Sequence, residues 1–290
     1  MKRSSFLKIG ASAALAPIAM KLQAFKKWVD DQPVSDTMPA LFVGHGSPMN
    51  AILQNEFNDK WHQLGENLPR PKAILSISAH WLTRGTYVTS MEKPKTIHDF
   101  GGFPKELFDA EYPAPGAPDL ATETMKLIKS TEVKDDHQWG LDHGTWSVLL
   151  PMYPKADIPV FQLSIDYYQS PQYHYELAKE LAALRKKGVL IMGSGNIVHN
   201  LRMIDFEGKC KFDWAYEFDD KIKSFIEHGD DAGVVNYHKL GSIADMAVPT
   251  NDHYLPLLYS LGVKNSKDEV EFFNDKMDAG SISMRSLLIS

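Results

Sequence analysis

The sequence predicts an α/β fold in which a single domain carries a central mixed, largely parallel sheet flanked by helices. Three observations predict it. From Met38 onward short apolar runs alternate with amphipathic stretches, the pattern of strands and the helices that cover them. The apolar runs close on small-residue, polar or histidine-bearing turns, as strand ends beside a ligand crevice do. After the first two dozen residues no linker-like composition and no fixed-period repeat divides the 290 residues, so one continuous core is expected.

In chain order, residues 1–37 read as a leader and linker. Met1-Lys-Arg-Ser-Ser-Phe-Leu-Lys8 and the small, apolar run Ile9–Met20 have the grammar of an export signal. The run is shorter than the roughly 20 residues a spanning helix needs, so no membrane span is expected in the mature protein. The start resembles a twin-arginine signal, with Lys2 where the first arginine is usual and no clean Ala-x-Ala before a mature start. That predicts a periplasmic protein; the alternative is a cytosolic extension.

The domain proper spans 38–290. Strands are predicted at Ala40–Val43, Ala73–Ser78, Val160–Ile165 and Val189–Met192, ending in the turns Gly44-His-Gly-Ser-Pro48, Ala79-His-Trp81, Asp166-Tyr-Tyr168 and Gly193-Ser-Gly-Asn196. Helices are predicted at Asn55–Leu68, Pro118–Ser130, Pro171–Lys187, Trp214–His228 and Asp252–Leu261. In the third of these, Leu177, Leu181 and Leu184 form one apolar stripe, with Lys179, Glu180 and Arg185 outside it. Glu269–Phe273 and Ser281–Ile289 read as terminal strands, antiparallel to their neighbours.

Composition narrows function. The net charge is −6 with scattered basic residues, which argues against a nucleic-acid partner and leaves a small-molecule substrate. Cys210 is the only cysteine, so there is no internal disulfide, and a metal site must use His, Asp or Glu. Cys210 itself reads as an inert surface thiol.

Placement of the 11 histidines carries the argument. His45, between two glycines, and His80, in Ser78-Ala-His-Trp81, each follow a predicted strand, where a neutral imidazole is a common metal ligand. His253, in Pro249-Thr-Asn-Asp-His-Tyr-Leu-Pro256, lies near a helix start and offers a third ligand, which is the number a catalytic metal needs. His143 and His199 lie in glycine-bearing turns. His62, His137, His174, His228 and His238 read as surface residues, and His98 is intermediate.

Six segments in order, Gly44-His-Gly-Ser-Pro-Met49, Ser78-Ala-His-Trp81, Ile97-His-Asp-Phe-Gly-Gly-Phe-Pro104, Gly140-Leu-Asp-His-Gly-Thr-Trp146, Ser194-Gly-Asn-Ile-Val-His-Asn-Leu201 and Pro249-Thr-Asn-Asp-His-Tyr-Leu-Pro256, together resemble the class III extradiol ring-cleavage dioxygenases, in their DOPA 4,5-dioxygenase branch. The resemblance implies one α/β domain around a mixed sheet. It implies a divalent ion on His45, His80 and His253, where other branches place a glutamate, with His199 as acid/base group or fourth ligand. His143 matches the second catalytic histidine, with Asp142 beside it to orient a ring nitrogen. Three neutral imidazoles favour Zn²⁺ or an Fe²⁺ of raised potential.

The expected partners are thus a catechol and O₂. His199 takes a phenol proton and His143 returns one as the ring opens to a muconic semialdehyde. His98, Asp99 and Phe100 are read as substrate contacts on a glycine-flexible lid. Trp81, Trp146 and Tyr254 are read as packing. Two rivals remain at this level: a zinc-binding interaction protein without oxygenase activity, and a zinc hydrolase. Retention of both His143 and His199 favours an enzyme.

Overall fold

A computed structural model describes residues 37–207 and 210–290; the leader expected at the amino terminus lies outside them. Six strands form the central sheet: β1 (Ala40–Gly44), β2 (Ala73–Ser78), β3 (Val160–Gln162), β4 (Val189–Gly195), β5 (Val270–Phe273) and β6 (Ser286–Ile289). Their order is β3-β2-β4-β1-β6-β5. The first four run parallel, while β6 is antiparallel to both β1 and β5. The sheet is therefore mixed and largely parallel, and its last two strands have the direction read from the sequence.

β1, β2 and β4 are buried along their whole length, which is why they read as nearly unbroken apolar runs: helices cover both faces. Side chains alternate between those faces. Ala40, Phe42, Ala73, Leu75, Ile77, Val189 and Ile191 join a core with Leu177, Leu181 and Leu184, the stripe predicted on the helix Pro171–Arg185. On the other face Ser76 and Ser78 of β2 bond Thr145 and Asp142 at the start of the helix His143–Met152. Ser194 of β4 donates to the Gly144 carbonyl of that helix. Registers bring Gly44 beside Gly195 and Ser78 beside Ser194. The carboxyl ends of the three strands thus open onto one rim, where α/β sheets place their ligands.

Several elements differ from the expectation. The strand predicted at Val160–Ile165 is two, because the chain leaves the main sheet after Gln162 and Ile165–Asp166 pairs with Leu82–Thr83. Ser164 marks the change, its hydroxyl engaging Thr83 and the Tyr87 amide. The last predicted helix begins at Leu255 rather than Asp252, since Pro256 suits a first helical turn and the residues before it form a turn closed by Asn251. The helix His143–Met152 was not anticipated, its nearly uniform burial leaving no amphipathic period to read. Cys210 is exposed, and no helix of the described residues is long and apolar enough to cross a membrane.

His174, read as a surface residue, is fully buried. It lies on the inner side of Pro171–Arg185, and its Nδ1 stands 2.9 Å from the Tyr259 hydroxyl. Burial, partly offset by Asp166, lowers its pKa to about 4. The unfolded histidine titrates near 6.5, so its contribution to stability is complete above that pH and drains away as the pH falls toward 4. Against His174→Gln, the wild type should lose up to about 1.4 kcal/mol more per pH unit across that window. Urea unfolding at several pH values measures this, and parallel profiles for the two proteins would contradict it.

Candidate active site

Each histidine of the predicted constellation is delivered by its own local device. His45 directly follows β1, and the Ser194 hydroxyl meets its Nδ1 at 3.0 Å. Asn50 donates to the His45 carbonyl at 3.1 Å and fixes the following turn. His80 follows β2 by two residues; its amide donates to Ser78 Oγ at 3.2 Å, and that hydroxyl donates to Asp142 at 2.6 Å. His143 is the first residue of a helix whose N-cap is Asp142, which accepts from the Thr145 amide. Only glycine fits next to it, since a methyl group on Gly144 would overlap Ser78 Oγ and stand 2.9 Å from His80 Cδ2.

His253 sits in the turn before Leu255–Gly262, and the Asn196 amide donates to its carbonyl at 2.9 Å. A side chain on Gly195 would overlap that same carbonyl, so the close approach of β4 to this turn needs glycine. His199, beyond the end of β4, is tied by its amide to the Ala247 carbonyl at 2.9 Å.

The five rings meet. His45 stands 5.1 Å from His80, 5.3 Å from His253 and 5.6 Å from His143, centroid to centroid. His80 lies 3.8 Å from His143 and 5.0 Å from His253, and His199 stacks on His253 at 3.5 Å, tilted by 7°. Among the described residues, the three histidines whose ligand atoms all lie within 4.8 Å of one another are His45, His80 and His143. The third member of that set is thus His143, where the resemblance implied His253.

A three-histidine cluster of this kind is compatible with a single metal site. Nε2 of His45 and Nε2 of His80 are 3.2 Å apart. Two nitrogens bound at about 2.0–2.1 Å in a tetrahedron stand about 3.3 Å apart, so the pair already has the bite of a shared ion. Metal binding needs unprotonated imidazoles. Burial first, then the charge of neighbouring histidines, lowers the pKa of both His45 and His80 well below the ordinary value. Burial and His253 lower that of His199 to about 3, against the pull of Asp252. His253 Nδ1 meets Asp252 Oδ2 at 2.7 Å, the carboxylate partner that commonly leaves the other ring nitrogen for a metal.

The acidic groups near the cluster differ from the expectation. Asp142 does not orient a ring nitrogen of His143: its oxygens are taken by Ser78, the Thr145 amide, Gln162 and Trp139. Burial and nearby Asp99 raise its pKa, against the bonds from Gln162 and Ser78. Asp99 is the carboxylate beside His143. Its neighbour His98 turns away, its Nε2 on the Ala110 carbonyl at 2.9 Å and its ring among Phe100, Phe108 and Trp146. The Phe100 ring reaches His143, edge-on at 5.6 Å. Trp81, Trp146 and Tyr254 are buried packing residues. Asp252 and Ser194 were not singled out from the sequence; the adjacency of Asp252 to His253 was the one available signal, while Ser194 reaches His45 only through strand pairing.

Imidazoles from separate connections, gathered on the carboxyl-end rim of a parallel sheet with ion-ligand spacing, define a metal-site enzyme of the α/β class. The chain belongs to the family described as the catalytic LigB subunit of aromatic ring-opening dioxygenase, whose model matches residues 38–284. It is 46% identical over 262 residues to a 4,5-DOPA dioxygenase extradiol of Escherichia coli K12, covering 88% of this chain and 96% of that protein. A 4,5-DOPA dioxygenase extradiol of Beta vulgaris is 35% identical over 252 residues, covering 84% and 94%. The crystal structure of an uncharacterized Escherichia coli K12 protein superposes with a TM-score of 0.76 at 41% identity, covering 87% of this chain and all of that one.

Proposed function

We propose that this ring-opening dioxygenase cleaves a DOPA-like catechol beside its diol, placing both atoms of O₂ in a muconic semialdehyde product. The observation that carries the proposal is the convergence of five imidazoles, of which two have shared-ion spacing and two more stack at the edge. The names of the relatives support the catechol class.

In this reading His45, His80 and His253 hold the ion through Nε2, because the Nδ1 atoms of His45 and His253 are already engaged by Ser194 and Asp252. An ion held there, Fe²⁺ or Zn²⁺, would supply positive charge to a bound catechol, and Fe²⁺ would also supply electron exchange with O₂. His199, stacked on His253, accepts a phenol proton. His143 donates a proton on the facing side as the ring opens. Phe100, edge-on to His143, covers the substrate ring. His98 supports Phe100 from behind.

Anaerobic reconstitution with Fe²⁺ or Zn²⁺, followed by O₂ uptake with DOPA and simpler catechols, tests this. One O₂ consumed per catechol and a yellow product are expected with Fe²⁺. Hydrolysis without oxygen, or metal binding with no uptake, would replace it with the hydrolase or the binding-protein reading.

A further inference from the structure

The carboxylate of Asp99 stands between two imidazoles that the proposed function gives different tasks. Its Oδ2 lies 3.3 Å from His80 Nδ1 and 3.0 Å from His143 Nδ1. Its Oδ1 accepts the His143 amide hydrogen bond at 2.8 Å. The side chain is only 19% exposed, and the two residues before it are anchored. Ile97 donates its amide to Leu141 and accepts from Trp146 Nε1 at 2.8 Å, and His98 is tied to Ala110 at 2.9 Å.

We propose that Asp99 is a positioning residue, one oxygen of which sets the ring orientation and tautomer of both His80 and His143. The sequence offered it as a substrate contact, yet its oxygens are committed to groups of the chain itself. A carboxylate within ion-pair reach of Nδ1, though not aligned as a hydrogen bond, favours the proton on that nitrogen and leaves Nε2 free. For His80 the freed Nε2 is the one 3.2 Å from His45 Nε2. For His143, whose ring is 3.8 Å from that of His80, it is the nitrogen that can take up a proton and return it to the opening ring, the same carboxylate stabilising the imidazolium in between. One side chain thus fixes the spacing between the metal pair and the proton donor.

The inference rests on the ligand role of His80 and the proton role of His143 given above. Its test is Asp99→Asn, read by Zn²⁺ retention against a chelator, by the Co²⁺ absorption spectrum, and by steady-state kinetics at saturating metal. Zn²⁺ should be held about 10–100-fold less tightly. The Co²⁺ bands should shift, and kcat should fall while the catechol KM stays within about twofold. A raised KM with unchanged kcat and unchanged metal retention would make Asp99 a substrate contact and overturn the proposal. Asp99→Glu keeps the charge and should recover part of the metal retention. Equal losses in both variants, together with a lowered unfolding temperature, would reduce the residue to packing. Should Asp99→Asn not fold, Asp99→Ala read in the same way decides, and wild-type Zn²⁺ retention with an unchanged Co²⁺ spectrum overturns the proposal. If wild-type protein loaded with Fe²⁺ opens no catechol, the proposed function fails, while metal retention and the Co²⁺ spectrum still judge Asp99.

Discussion

Changing His45 or His80 to alanine is expected to give a folded chain that holds no metal and opens no ring. Each supplies one of the two Nε2 atoms that face each other at 3.2 Å, and a catalytic ion depends on about three protein ligands. The polar groups behind the two rings cannot take their place. The Ser194 hydroxyl behind His45 already donates to the Gly144 carbonyl, and Asp99 behind His80 faces the Nδ1 side. Elemental analysis after dialysis against a chelator, beside O₂ uptake, measures both consequences. Chelator-treated wild type should behave as the variants do and recover on addition of metal, which the variants should not. One ion per chain surviving in either variant would contradict the assignment.

Replacing His143 or His199 by alanine should cut kcat by about 10²–10⁴-fold with the ion retained, the usual range for a proton-transfer group. His199 is connected to the site by its stack on His253 and His143 by its contact with His80, so neither deletion removes the His45–His80 pair. His253→Ala is the informative partner, because it should lose metal as well as turnover. The opposite pattern, with His143→Ala losing the ion and His253→Ala keeping it, would make His45, His80 and His143 the ligand set, as their mutual closeness within 4.8 Å allows.

Much of this was legible in the chain. Strands buried on both faces appear as short apolar runs, so β1, β2 and β4 were readable within a few residues, as were their parallel direction and the histidines placed just beyond two of them. The antiparallel tail was readable too. The helix His143–Met152 was not, since uniform burial erases the period that reveals a surface helix. His174 was misread for the reverse reason: its polar neighbours in sequence gave no sign that the helix turns it inward onto Tyr259.

What the sequence determined by itself is the inventory: an α/β sheet, histidines at its strand ends and the family to which the ordered motifs belong. What only the tertiary structure decided is pairing at distance. That Asp99 rather than adjacent Asp142 serves His143, and that Ser194 stands behind His45, follow from strand register and helix capping. A capped helix consumes the carboxylate next to it in sequence, and a hydrogen bond reports proximity in space, which local residue order does not encode.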